Sequence, residues 1–348
     1  MNADRITLKQ GEKKVKKKNE ILIIQKRHKK CFFIKIIVII ILGSFFISFK
    51  FLFSKNYNNY NSINNMVNNI NITELIQNEK YFDDKVCRFI KIRLKNRIQP
   101  FGFEDELSFI ISLILCKIPF SFIRFSDGED FIMTGTSYST NRDNWAWNNT
   151  NKKFQDSLIE SASICTTPYN FIGIPCKNWY NHSKSILSFS KCTNSKYMSY
   201  TSLFYNKNYK FFQNWITKFI KSSNRWKIIL VANSLIKEDI SWAYKFFPIP
   251  EHVIEKWDEL SASLLPKLAD EVKQKDIIFF VSAGPAANLI ISYLVKINNK
   301  NIYIDFGSAI EFITKGFSTR SYSKIGGETA LLGCESFYLE NQAPIYIE

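Results

Sequence analysis

Histidine is scarce in this chain, and cysteine is badly spaced for holding a metal. The 348 residues hold three histidines, and none of the seven cysteines falls into a C-x-x-C pair. That argues against a zinc site, whose imidazole and thiolate ligands come in closely spaced pairs. Also missing is a basic stripe interleaved with stacking aromatics. Nucleic acid is therefore not an expected partner, despite a net charge of +16. The charge is uneven. Met1 to Lys30 carries eleven Lys/Arg against three Asp/Glu, or +8, and Lys35 and Lys50 add two, which leaves only +6 for everything after them. No small-residue cleavage site closes the first apolar run, which argues against a removed signal peptide.

What is present begins with that run. Residues 1–30 form a basic tail, and Cys31 to Phe53 is an apolar stretch of 23 residues whose two lysines lie near its ends, where they can snorkel. A bilayer core of ~30 Å needs ~20 apolar residues in a helix. The basic flank on the amino side predicts a single span with its N-terminus in the cytosol, a type II signal-anchor with the bulk of the chain lumenal or extracytoplasmic. Residues 54–77 are Asn-rich and aperiodic, as in a stem. Three N-x-S/T sequons, at Asn71, Asn148 and Asn181, give mild support to a lumenal placement. Cys31 sits at the edge of the span. The other six cysteines would be free to pair in an oxidising lumen, although spacing does not set their connectivity, and Cys116 reads as core.

The globular part, 78–348, is predicted to be α/β. With 46% hydrophobic and 16% aromatic residues it has ample material for a core. Helical patterns over 104–117, 154–164, the second half of 199–220, 240–247, 260–272 and 286–295 alternate with apolar strand-like runs at 120–125, 169–175, 226–232, 276–282 and 301–305. Continuous apolar strands separated by helices predict a Rossmann-like, mostly parallel sheet with helices on both faces.

The most informative stretch is Phe120-Ser-Phe-Ile-Arg-Phe-Ser-Asp-Gly-Glu129. A buried strand stops at a polar turn, the end at which open α/β sheets gather ligands. Asp127 and Glu129, one glycine apart, are candidate ligands for Mg²⁺ or Mn²⁺, hard cations that take oxygen donors. Gly128 would free the backbone, and Arg124 would clamp a phosphate or hold the carboxylates. The plain alternative is an acidic turn capping the next helix. A second cluster, Ser282-Ala-Gly-Pro285, joins a strand to a helix, where free N–H groups attract anions and Gly284 permits close approach; Pro285 sits near the helix start. Packing alone would also account for it. Asp305 ends a further strand, suited to a ribose or a second ligand, and Arg320 is a candidate phosphate partner. His182 is a candidate general base with no partner evident in sequence. Trp145 and Trp147 are a candidate sugar platform, with burial as the alternative.

The order Arg124-Phe-Ser-Asp-Gly-Glu129, Phe171-Ile-Gly-Ile-Pro175, Ser282-Ala-Gly-Pro-Ala-Ala287 and Asp305-Phe-Gly-Ser308 resembles the GT-D-type glycosyltransferases over roughly residues 100–320. Ser126 stands where that family most often has glycine, and both carboxylates remain. The resemblance implies a Rossmann-like fold, a nucleotide-sugar donor, a glycan or glycoconjugate acceptor, and a divalent metal on Asp127 and Glu129. An anchor and stem ahead of the matched region is the layout of a secretory-pathway glycosyltransferase. Two rivals stay open. A methyltransferase using S-adenosylmethionine would place Asp305 on the ribose, but it lacks a G-x-G and leaves the acidic turn unexplained. A membrane-tethered binding ectodomain would use the acidic turn structurally.

Overall fold

The structure, a computed structural model, describes residues 83–317 apart from 141–144, 150, 176–179, 193–194 and 223–225. The tail, the apolar run 31–53, the stem with its Asn71 sequon, and Arg320 lie outside the described residues. Two helices come first, α1 (Asp84–Asn96) and α2 (Phe103–Leu115). The strand β1 (Phe120–Arg124) leads into α3 (Asp127–Thr134), then a small hairpin of β2 (Tyr138–Thr140) and β3 (Trp145–Trp147), and α4 (Lys152–Ala162). There follow β4 (Asn170–Ile174), α5 (Tyr180–Ser190), β5 (Met198–Tyr200), α6 (Tyr209–Ser222), β6 (Lys227–Asn233) and β7 (Lys245–Ile249). The described part closes with α7 (Trp257–Glu271), β8 (Ile277–Ser282), α8 (Ala286–Ile297), β9 (Ile302–Asp305) and α9 (Glu311–Thr314).

Seven strands form one sheet in the order β5-β4-β1-β9-β8-β6-β7, and every pairing in it is parallel. The expected mostly parallel α/β sheet is therefore present. Its first and last strands in chain order, β1 and β9, stand side by side near the middle. Crossovers between parallel strands are right-handed, so the direction of each step along the sheet decides which face its helix covers. The steps β1 to β4, β4 to β5 and β8 to β9 all run one way, and their helices α3, α4, α5 and α8 pack together in one layer. The long step from β5 to β6 runs the other way and puts α6 on the opposite face. There Phe212 meets Phe204 and Phe306 with ring centroids 5.0 and 5.4 Å apart, and Phe219 stacks on Phe280 of β8. The interior strands are buried on both faces, which is why they read as continuous apolar runs rather than alternating ones.

Three details differ from the sequence expectations. Residues 240–247 do not form a helix: Ile240, Ala243, Tyr244 and Phe247 fall at helical spacing, but 245–249 pair with β6 as an edge strand. Pro248 is tolerated because an edge strand needs only one side of its ladder. The short strand β5 and the helix α5 were not expected. Cys116 is not plain core; it caps the end of α2 and is disulfide-bonded to Cys87 of α1, with Cα atoms 5.3 Å apart. A second disulfide joins Cys165 to Cys192, Cα atoms 5.9 Å apart, and ties the turn after α4 to the chain leaving α5.

Candidate functional site at the strand carboxyl ends

The parallel register brings three sequence-predicted residues to one edge. Arg124 ends β1, Asp305 ends β9 and Ser282 ends β8, on adjacent strands. Arg124 is a brace there. Its Nε–H donates to the Asp305 carbonyl at 2.8 Å and to Oδ2 at 3.2 Å, and Nη2 donates to Oδ1 at 3.3 Å. Nη1 donates to the Tyr205 hydroxyl at 2.7 Å and to the Thr201 carbonyl at 3.2 Å, in the loop after β5. Burial disfavours the guanidinium charge, but Asp305 and Tyr205 outweigh it and hold the pKa above the ordinary arginine value. Burial likewise pushes the Asp305 carboxyl up, against the pull of Arg124. Asp305 is 4% exposed and also accepts from Gly307 N–H at 2.8 Å, so its carboxylate is committed to binding the loops together.

The acidic motif opens α3. Ser126 is the N-cap, and its N–H donates to Glu129 Oε2 at 2.8 Å, the reciprocal half of a capping box. Its hydroxyl donates to Asp127 Oδ1 at 3.0 Å. Both carboxylates thus gather on one residue, and each remains half-buried. The Glu129 carboxyl is pushed up to about 7, first by burial, then by the charge of Asp305, with a smaller push from Asp127. The capping alternative and the acidic-cluster reading are therefore both present in the geometry: Glu129 caps the helix and sits beside the Asp127 and Asp305 carboxylates, which with burial favour its protonated form. Gly128 needs no special backbone freedom, since it sits within α3 and outside the positive-φ glycines.

At the strand ends that freedom is used by two other glycines. Gly284 has φ +54° in the exposed turn after β8, and Gly307 has φ +49° after β9. A Cβ at Gly307 would overlap Arg124 Nη2 and lie 3.1 Å from the Tyr205 hydroxyl, so only glycine lets the brace form. Ser282 Oγ donates to the Gly307 carbonyl at 2.8 Å, linking the β8 and β9 ends. Pro285 is the N-cap of α8, whose first residues Ala286, Ala287 and Asn288 are buried. Gly173 of β4, in the second motif, would place a Cβ 3.0 Å from Thr201 Cα; its role is close strand approach.

Sequence reasoning missed Tyr205, Gly307 and Asn288, whose Nδ2 donates to the Arg124 carbonyl at 2.9 Å. Gly307 lay within a quoted motif; the other two carry no local signal. Trp147 is 2% exposed and forms no sugar platform, while the side chain of Trp145 lies outside the described residues. Among the described residues no group of three or more His, Cys, Asp or Glu is clustered as a metal centre. Two carboxylates remain a sufficient protein share for a cation completed by phosphate and water oxygens.

No family model and no curated protein matches the sequence. Among solved structures, the chain is similar to the conserved domain of unknown function 1792, described as having a distinct glycosyltransferase fold. The TM-score is 0.42 at 17% identity, covering 65% of this chain and 84% of that one. A selenomethionine-substituted structure of the same domain gives a TM-score of 0.41 at 16% identity with the same coverages, 65% and 84%.

Proposed function

We propose that this chain is a membrane-anchored glycosyltransferase that moves a sugar from a nucleotide-sugar donor to a hydroxyl of a glycan or glycoconjugate. The observation that carries the reading is the D-x-E pair at the carboxyl end of a central parallel strand. Asp127 and Glu129 are both drawn onto Ser126, and Glu129 is pushed up to about 7 by burial and its carboxylate neighbours. Asp127 and Glu129 would hold a Mn²⁺ or Mg²⁺ ion, which when bound supplies neutralising charge for the departing diphosphate. The exposed Gly284 turn, with Ser282 and Pro285 on either side of it, would offer backbone N–H to the donor phosphates, and Arg320, outside the described residues, is the sequence candidate for a further phosphate contact. Arg124 and Asp305 keep the strand ends and the Tyr205 loop in register around that donor. Because Asp305 is buried in this brace, a ribose-binding role in a methyltransferase has little support.

The test is a panel of UDP- and GDP-sugars with p-nitrophenyl glycosides as acceptors, run with and without Mn²⁺, on wild type, Asp127→Asn, Glu129→Gln and the double variant. Each substitution keeps shape and removes charge. Loss of one well-placed electrostatic group costs on the order of 10²–10³ in turnover. The double variant should lose little more than either single, since one shared ion is already disabled. Wild-type turnover in all three variants would refute the assignment.

A further inference from the structure

In sequence His182 stands alone; in the fold it does not. It lies in the first turn of α5, which is anchored over the end of β4 by Ser183 Oγ donating to the Pro175 carbonyl at 2.9 Å. Its Nδ1 is 2.6 Å from Oδ2 of Asp130, a residue 6% exposed whose Oδ1 has no hydrogen-bond partner among the described residues. A carboxylate so buried and half-satisfied is costly to keep, and calls for an explanation. A carboxylate only accepts, so the imidazole donates from Nδ1, the tautomer whose lone pair is on Nε2. The ring is steadied edge-on by Phe131 at 5.5 Å, and Phe131 is stacked on Tyr138 at 4.7 Å. The His182 side chain keeps 24% of its exposure, enough for a substrate to reach it.

Its distance from the proposed donor site follows from helix geometry. Asp127 and Asp130 are three apart on α3 and so are neighbours on its surface, with Cβ atoms about 5–6 Å apart. The imidazole is therefore held on the same turn of α3 that carries Asp127. Resting on the transferase reading above, we infer that His182 is the catalytic base for the acceptor and that Asp130 is its positioning residue. Nε2 takes the proton of the acceptor hydroxyl while that oxygen's electron pair forms the bond to the anomeric carbon. The bond from that carbon to the diphosphate oxygen breaks, and its electron pair leaves with the nucleoside diphosphate. The proton on His182 passes to solvent afterwards. Asp130 sets the tautomer that makes Nε2 the acceptor and stabilises the imidazolium formed.

The experiment uses the full chain with the sugar donor and p-nitrophenyl glycoside that wild type turns over best. It reads kcat, acceptor KM and donor Kd in the presence of Mn²⁺. His182→Ala is expected to lose on the order of 10²–10⁴ in kcat, the usual share of a general base, with donor Kd within about twofold, and added imidazole should restore part of the rate. Asp130→Asn can donate to Nδ1 and so favours the wrong tautomer; kcat should fall while donor Kd holds. His182→Gln is read in the same way should the alanine variant fail to fold. If wild type transfers sugar and a folded His182 variant keeps kcat within about threefold, or imidazole restores nothing, this inference is overturned and the transferase reading stands. If wild type neither binds nor transfers any of the sugars, both fall together.

Discussion

Glu129 carries two duties that pull against each other. It caps α3 through Ser126 N–H, which favours the carboxylate, yet burial and Asp305 favour the protonated acid and prevail, with a pKa pushed up to about 7 from an ordinary 4.5. Between those two values the folded chain holds a proton that the unfolded chain has released, so stability falls as pH rises through that window. Taken in full, the shift corresponds to about 3 kcal/mol lost above pH 7. Glu129→Gln keeps an oxygen for the Ser126 N–H and has no proton to lose. In chelator the variant should be more stable than wild type above pH 7, by up to that amount, with the difference vanishing near pH 4.5. Urea unfolding across pH 4.5 to 8 measures this; equal stability of the two proteins at pH 8 would mean the carboxyl titrates normally. Added Mn²⁺ should then stabilise wild type and leave the variant largely unchanged, because a ligand stabilises only the state that binds it.

At the scale of elements, the two disulfides close chain segments with sequence separations of 29 and 27 residues. Loops of that length restrict the unfolded chain by about 3.5 kcal/mol each in the chain-entropy account. The Cys87→Ser/Cys116→Ser pair should unfold earlier by a sizeable share of that figure, and a thiol reagent applied to denatured, unreduced wild type should find at most three of the seven cysteines. Seven reactive thiols would remove both bridges. Neither pairing was legible in sequence, because nothing local reports that residue 87 meets 116. The same limit explains the other misses. Strands β1, β4, β6, β8 and β9 were legible because burial on both faces makes each a continuous apolar run. β5, three residues long, shows no such run, and β7 has helical spacing in sequence because an edge strand's identity is decided by the neighbour it pairs with. The acidic turn and the Gly284 turn were legible as punctuation after strands. The Arg124–Tyr205 contact and the Asp130–His182 pair join residues 81 and 52 positions apart and exist only once the sheet is assembled.

For the whole molecule, the proposed anchor implies a side of a membrane on which the site would work. Among the described residues no helix is long and apolar enough to cross a membrane, so the proposed anchoring rests on the run 31–53, which lies outside them. As a helix, at about 1.5 Å per residue, its 23 residues would reach about 34 Å, enough for a bilayer core of ~30 Å. The +8 tail before it sets the expected orientation, because lysine and arginine flanks stay in the cytosol. Two features of the folded part agree with a domain exported from the reducing compartment. Disulfides persist mainly in oxidising surroundings, and the sequon asparagines Asn148 and Asn181 are both exposed. Protease added to sealed membrane vesicles with the cytosolic face outward should remove the basic tail and spare the C-terminal domain, and detergent should make that domain cleavable. A membrane-impermeant thiol reagent should likewise leave the domain unlabelled until detergent and reductant are added together. Digestion of the domain in intact vesicles would place the site in the cytosol. The type II orientation would then be wrong, and the donor would have to be drawn from the cytosolic pool of nucleotide sugars.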